Sequence, residues 1–125
     1  MKALSLFSNV GFGDVYLKNV GIDVCVANEL HNDRCLMYKD LHPKTEVVCG
    51  DITEDSTKQS IYDLCPSEGE GINLIIATPP CQGMSVANAK RHPKDPRNSL
   101  MSHALDVFNH LPPDYMLIEN VPSMS

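Results

Sequence analysis

The chain has 125 residues, 42% of them hydrophobic, and a formal net charge of −6. That length sets one domain with enough apolar material for a core. The apolar runs are too short to span a bilayer, so neither a membrane anchor nor a leader peptide is expected. An acidic balance excludes a surface that grips nucleic acid everywhere, because such binding rests on Lys and Arg neutralising phosphates. One segment departs from that balance: between Asn88 and Arg97, Lys90, Arg91, Lys94 and Arg97 face only Asp95. Five cysteines without a C-x-x-C pair suit unpaired thiols in a reducing compartment, so the expected location is the cytoplasm or the nucleoid.

The elements follow in strict alternation. "ALSLFS" (Ala3 to Ser8) reads as a strand, Gly11 to Gly13 as a turn, and Asp14 to Val20 as a short helix closed by Gly21. "DVCVANE" is a second strand, Asn32 to Leu41 a helix stopped by His42-Pro43, and "EVVCGD" a third strand. Thr53 is expected to cap a helix running to about Leu64, and "INLIIAT" is the fourth strand. In "NSLMSHALDVFNHL" the apolar residues Leu100, Ala104, Leu105, Phe108 and Leu111 recur at helical spacing, and Pro112-Pro113 ends the helix. "YMLIENV" (Tyr115 to Val121) is a fifth strand. Strands apolar on both faces, alternating with helices, mean an α/β fold: a parallel sheet covered by helices on both sides.

Ligands of open α/β sheets bind beyond the carboxyl ends of the strands. That rim collects Phe7, Ser8, Asn9 and Gly11 after the first strand, Glu29 after the second and Asp51 after the third. Pro79, Pro80 and Cys81 follow the fourth strand, and Glu119 and Asn120 end the fifth. An acid at the end of the second strand, about 20 residues past a glycine turn, suits ribose hydroxyls. The turn lacks the full G-x-G-x-x-G, and Phe12 stands where a glycine would admit a pyrophosphate, so a nucleoside cofactor without pyrophosphate is favoured. Asp51 then suits the amino group of an adenine. His31 and Cys35 share a helical face, but no second ligand pair accompanies them, and no metal site is expected.

"PPCQGMS" at the end of one strand and "IENV" at the end of the next, with "DPRNSL" between, resemble the DNA (cytosine-5) methyltransferases. The order "LFSNVGFG", "ANEL", "GDI", "PPCQGMS", "DPRNSL", "IENV" follows that family along the whole chain. The resemblance implies a Rossmann-like half-sheet in the order 3-2-1-4-5 and S-adenosylmethionine as cofactor. It implies that residues 1–125 form the cofactor-binding and nucleophile part of a catalytic domain, without its target recognition domain.

By the same resemblance Cys81 is the nucleophile and Glu119 the acid that stabilises charge at N3 of the cytosine. Phe7, Ser8, Asn9, Gly11, Glu29, Leu30, Asp51, Ile52, Pro79 and Leu100 fall on the cofactor side. Pro79-Pro80 would fix Cys81 between cofactor and base. Gln82, Gly83 and Ser85 would begin a loop that closes on DNA, with Lys90, Arg91, Lys94 and Arg97 meeting phosphates. The base must leave the duplex for this chemistry.

The sequence departs from the family's "FSGxGG": here it is "FSNVGF", with Asn9 and Phe12 at glycine positions. The chain also stops just beyond "ENVPS". The expected partners are therefore double-stranded DNA and a completing C-terminal half or second subunit. The strand 115–121, apolar and without lysine, is expected to pair with a partner polypeptide or a second copy of the chain. Two other functions fit the motifs: a tRNA cytosine-5 methyltransferase and a non-catalytic cofactor-binding or assembly subunit.

Overall fold

The computed structural model describes residues 1–66, 71–80 and 99–119. The apolar stretches form β1 (Lys2–Leu6), β2 (Asp23–Glu29), β3 (Glu46–Cys49), β4 (Leu74–Ala77) and β5 (Tyr115–Ile118). Between them lie α1 (Asn32–Leu41), α2 (Asp55–Leu64) and α3 (Ser99–His110). All neighbouring strands pair in parallel, in the order β3-β2-β1-β4-β5, as the family resemblance implies.

Because side chains alternate across a strand, the sheet buries two apolar sets. On one face Leu4, Leu6, Val26, Val48, Ile75 and Ala77 pack beneath Ile61 of α2, Cys65 just after that helix, and Ala104 and Val107 of α3. Burying one such aliphatic side chain is worth roughly 1.5–3 kcal/mol. On the other face Ala3, Val24, Leu74 and Ile76 meet Leu17 and Ile22. α2 and α3 are also joined by polar contacts. The buried Lys58 ammonium donates to His103 Nδ1 at 2.8 Å and to Asp106 Oδ2 at 3.3 Å, and Tyr62 stacks on His110 with ring centroids 3.8 Å apart. Those contacts fix α3, whose start carries Leu100.

Two sequence expectations change in the structure. The helix expected over Asp14 to Val20 is instead two 3-10 turns, Phe12–Asp14 and Leu17–Val20. Short connections favour such tight turns, and Gly21 closes the second at φ 83° as expected. Thr53 does not cap α2, because its hydroxyl and its amide both bond Asp51 Oδ1, at 2.8 and 2.9 Å. Glu54 takes the capping position without a side-chain bond.

Among the described residues no helix is long and apolar enough to cross a membrane. No three His, Cys, Asp or Glu side chains among them come together as a metal site.

Candidate active site

The carboxyl ends of β1 to β4 open into a cleft of about 290 Å³. Phe7 and Asn9 line it after β1; Asn28, Glu29, Leu30, His31 and Arg34 line it around the end of β2. Gly50, Asp51 and Ile52 follow β3, Thr78 and Pro80 follow β4, and Leu100 closes the wall from α3. Of the expected cofactor residues, Phe7, Asn9, Glu29, Leu30, Asp51, Ile52 and Leu100 are thus brought together.

The loop after β1 owes its shape to a run of left-handed backbone. Phe7, Asn9 and Gly11 have φ of 56°, 55° and 89°. For a bulky residue such as Phe7 this conformation costs roughly 1–3 kcal/mol and persists only when its surroundings fix it. Several bonds do so. Thr78 Oγ1 donates to the Phe7 carbonyl at 3.0 Å, and the Ser8 amide donates to Asn28 O at 3.1 Å. The Asn9 amide donates to Glu29 Oε1 at 3.1 Å. The Asn9 side chain accepts the Val10 amide at 2.8 Å. Asparagine tolerates left-handed backbone better than other side chains, which accounts for Asn9 at a position the family gives to glycine. Phe12, the other departure, is 68% exposed and stands outside the cleft.

Gly11 serves a different purpose from the one its position suggested. It does not line the cleft. A Cβ there would come within 2.6 Å of the Tyr38 ring and 2.8 Å of the His42 ring. Its carbonyl lies 2.8 Å from His42 Nε2. The Tyr38 hydroxyl donates to the buried Asp14 carboxylate at 2.7 Å. Burial first, then the Asp14 charge, raises the Tyr38 pKa, so the phenol remains a donor. Gly11 is therefore the seat on which α1 holds the loop. Ser8 likewise turns inward, its hydroxyl donating to Asn28 O at 3.3 Å. Pro79 is buried, and Pro80 forms the wall in its place.

Glu29 is the centre of the site. Its side chain is buried, and each carboxylate oxygen accepts one backbone amide: Asn9 at 3.1 Å and His31 at 2.7 Å. A carboxylate oxygen has two lone pairs, so each retains one for a ligand hydroxyl. Asn28 ties β2 to the turn after β3, donating to Val48 O at 2.8 Å and Gly50 O at 3.1 Å. Asp51 Oδ1 is occupied by Thr53, leaving Oδ2 as an acceptor. Sequence reasoning assigned none of Asn28, His31, Arg34, Gly50 and Thr78 to the cofactor, and weighed His31 only as a metal ligand. Asn28 in "ANEL", Gly50 in "GDI" and Thr78 directly before Pro79-Pro80 carried a recognisable signal.

Glu119 follows β5 with an exposed side chain, its amide donating to Ala77 O at 3.0 Å. It stands on the same rim and does not line the cleft. Cys81, Gln82, Gly83, Ser85, Lys90, Arg91, Lys94, Arg97 and Asn120 lie outside the described residues.

A family model described as C-5 cytosine-specific DNA methylase matches residues 1–125. Type II methyltransferase M1.HgaI of Avibacterium volantium is 40% identical over 123 residues, which cover 95% of this chain and 34% of that protein. Type II methyltransferase M.AquIA of Picosynechococcus is 34% identical over 98% of this chain and 49% of its own length. Among solved structures, a DNA modification methyltransferase encoded within an E. coli prophage superposes with a TM-score of 0.75 at 27% identity. It is matched over all of this chain and 33% of its own. The S. pombe Dnmt2 methyltransferase gives 0.66 at 26% identity, over 99% of this chain and 37% of that one. The chain thus spans one third to one half of the length of these relatives.

Proposed function

Since the chain belongs to the C-5 cytosine-specific DNA methylase family, we propose that it forms the cofactor cleft and carries the nucleophile of a DNA cytosine-5 methyltransferase. The methyl donor is S-adenosylmethionine. One observation carries the reading: Pro80, the residue before Cys81, stands in the wall of the cleft that holds Glu29 and Asp51. In sequence the assigned nucleophile is the residue that follows this wall.

In this reading the free lone pairs of Glu29 accept the ribose hydroxyls, and Asp51 Oδ2 accepts the adenine amino group. Phe7, Leu30, Ile52 and Leu100 give the purine apolar walls. S-adenosylmethionine supplies an electrophilic methyl group on a sulfonium. The Cys81 thiolate adds to C6 of a cytosine turned out of the duplex, making C5 nucleophilic. The Glu119 carboxyl group is assigned to stabilise the charge that develops at N3. Once C5 carries the methyl group, its proton passes to water, the electron pair re-forms the C5–C6 double bond, and the Cys81 thiolate leaves C6. Gln82, Gly83 and Ser85, with Lys90, Arg91, Lys94 and Arg97, are assigned to the DNA side. Ser8, Gly11 and Pro79 support the cofactor walls from behind.

The proposal includes double-stranded DNA and a completing polypeptide as partners. Leu117 and Ile118 of β5 are exposed, and this edge is assigned to that polypeptide or to a second copy of the chain. The isolated chain should bind cofactor weakly and transfer no methyl group.

The test mixes the chain with a candidate second half, labelled S-adenosylmethionine and a duplex bearing a cytosine analogue that blocks release of the adduct. A covalent complex is expected with the wild type and none with Cys81→Ala, at similar cofactor affinity. Substantial turnover by Cys81→Ala would remove the mechanism. Cofactor binding without any adduct would favour the assembly-subunit reading, and adduct formation on tRNA alone would move the substrate to RNA.

A further inference from the structure

Two thiols lie behind the ribose end of the cleft without lining it. Cys35 stands near the start of α1, and Cys49 ends β3 directly opposite Glu29 in the β2–β3 register. The buried Cys35 Sγ donates to the Glu29 carbonyl at 3.3 Å. The exposed Cys49 Sγ lies 3.9 Å from the Leu30 carbonyl and 3.7 Å from Asn32 Oδ1. Two successive carbonyls, Glu29 and Leu30, thus each accept from one thiol, which brings both sulfurs to the same short stretch of backbone at the end of β2.

We propose that Cys35 and Cys49 form a redox-reactive dithiol, and that its closure to a disulfide by a hydroperoxide weakens cofactor binding in the adjoining cleft. The second part rests on the cofactor reading above; the first does not.

Exposure sets the order of the steps. Cys49 meets the oxidant first. Its thiolate attacks one peroxide oxygen; an S–O bond forms, the O–O bond breaks, and the leaving oxygen takes a proton to become water or an alcohol. The Cys35 sulfur then attacks the sulfenic sulfur. The S–S bond forms, the S–O bond breaks, and hydroxide departs with the Cys35 proton as water. Each cysteine sulfur is oxidised by one electron, and the peroxide is reduced by two. Burial, reinforced by the neighbouring Cys49 thiol and by nearby negative charges, pushes the Cys35 thiol up to about 12, which keeps it protonated and makes it the second partner.

A disulfide holds its sulfurs about 2.05 Å apart, closer than any thiol hydrogen bond. Closure draws Cys35 Sγ off the Glu29 carbonyl and pulls the start of α1 toward β3. The same residue's carboxylate clamps Asn9 and His31, and its carbonyl also accepts the Gly50 amide at 3.0 Å. A shift there reaches three walls of the cleft.

The full chain is treated with hydrogen peroxide, digested under non-reducing conditions and analysed by mass, with cofactor affinity measured by calorimetry before and after. A peptide pair linking Cys35 to Cys49 is expected, lost in Cys49→Ala and reversed by dithiothreitol. Cofactor affinity should fall about tenfold on oxidation, equivalent to about 1.4 kcal/mol, recover on reduction, and stay constant in Cys49→Ala. That variant also separates the effect from oxidation of Cys81. A Cys49 that goes on to sulfinic acid with no link to Cys35 would overturn the dithiol. A link formed with unchanged affinity would overturn its coupling to the cleft. If the reduced chain binds no cofactor while the link forms, the cofactor reading fails and the dithiol stands.

Discussion

The two ends of the sheet are built on different terms. Around β1, β2 and β3 the loops are tied to one another by side chains: Glu29 clamps two of them, Asn28 a third, and Tyr38 braces the turn beneath. At β5, Tyr115, Leu117 and Ile118 are 63%, 46% and 41% exposed, and no described strand pairs with its outer edge. The first region holds its shape through bonds internal to the chain. The second presents apolar surface of the kind that marks a contact. A cofactor wall can be read from this chain directly, whereas Glu119 stands exposed at the end of that edge strand.

Four changes probe that contrast, from strongest to weakest. Gly11→Ala should break the self-sufficient end. Its φ of 89° and the Tyr38 ring at 2.6 Å leave no room for a Cβ. A loss of about 3 kcal/mol or more is expected in denaturant unfolding, from backbone strain and overpacking together. Glu29→Gln should cost about 1.5–3 kcal/mol in cofactor binding. An amide can accept from only one of Asn9 and His31 and turns its own N–H₂ toward the other. Calorimetry at matched stability checks this, and an unchanged affinity would remove Glu29 from the ribose site.

Raising the pH should loosen the core gradually. Burial pushes Cys65 up to about 11 from the ordinary 9.0, and burial likewise raises Cys25 and Tyr38. A group with a raised folded pKa holds its proton longer when folded, so stability is full below the unfolded value and falls as pH climbs toward the folded one. For Cys65 that window is pH 9 to 11. Thermal melting should decline there, and Cys65→Ala should flatten the decline. Leu117→Lys should do least to the chain itself, within about 0.5 kcal/mol as for most surface substitutions. It should nevertheless reduce association with a second half or a second copy, measured by sedimentation. Unaltered association would show that β5 is not the contact.

Strand and helix order was legible because both faces of every inner strand are apolar and each helix is bounded by proline, glycine or a polar loop. The span of α1 matches its expected limits. The turn after β1 was not legible. A local helix-like run in Asp14 to Val20 gives way to two 3-10 turns, the first of them held by Tyr38 on Asp14 and His42 on Gly11, residues far along the chain. The acids at the cleft, Glu29 and Asp51, were legible from strand-end position alone. The role of Gly11 was not, because whether a glycine faces a ligand or a packed ring is decided by tertiary contact. Arg34 carries no local signal, since an exposed arginine on a helix is ordinary in composition, and the bonds Asn28 makes to Val48 and Gly50 exist only once β3 packs beside β2.

The strand order also dictates a timetable. β1 lies at the centre of the sheet, yet one of its two neighbours, β4, arrives much later in the chain: the Lys2 amide bonds Asn73 Oδ1 across 71 residues. During synthesis β1 can pair early with β2, and β2 with β3, leaving the other edge of β1 open until β4 emerges. Pairings this distant in sequence slow folding, and open strand edges are where nascent chains aggregate. The rate-limiting step in refolding should therefore be the docking of β4 and β5 onto a preformed β1–β3 block. In pulsed hydrogen exchange the amides of β2 should be protected before those of β4.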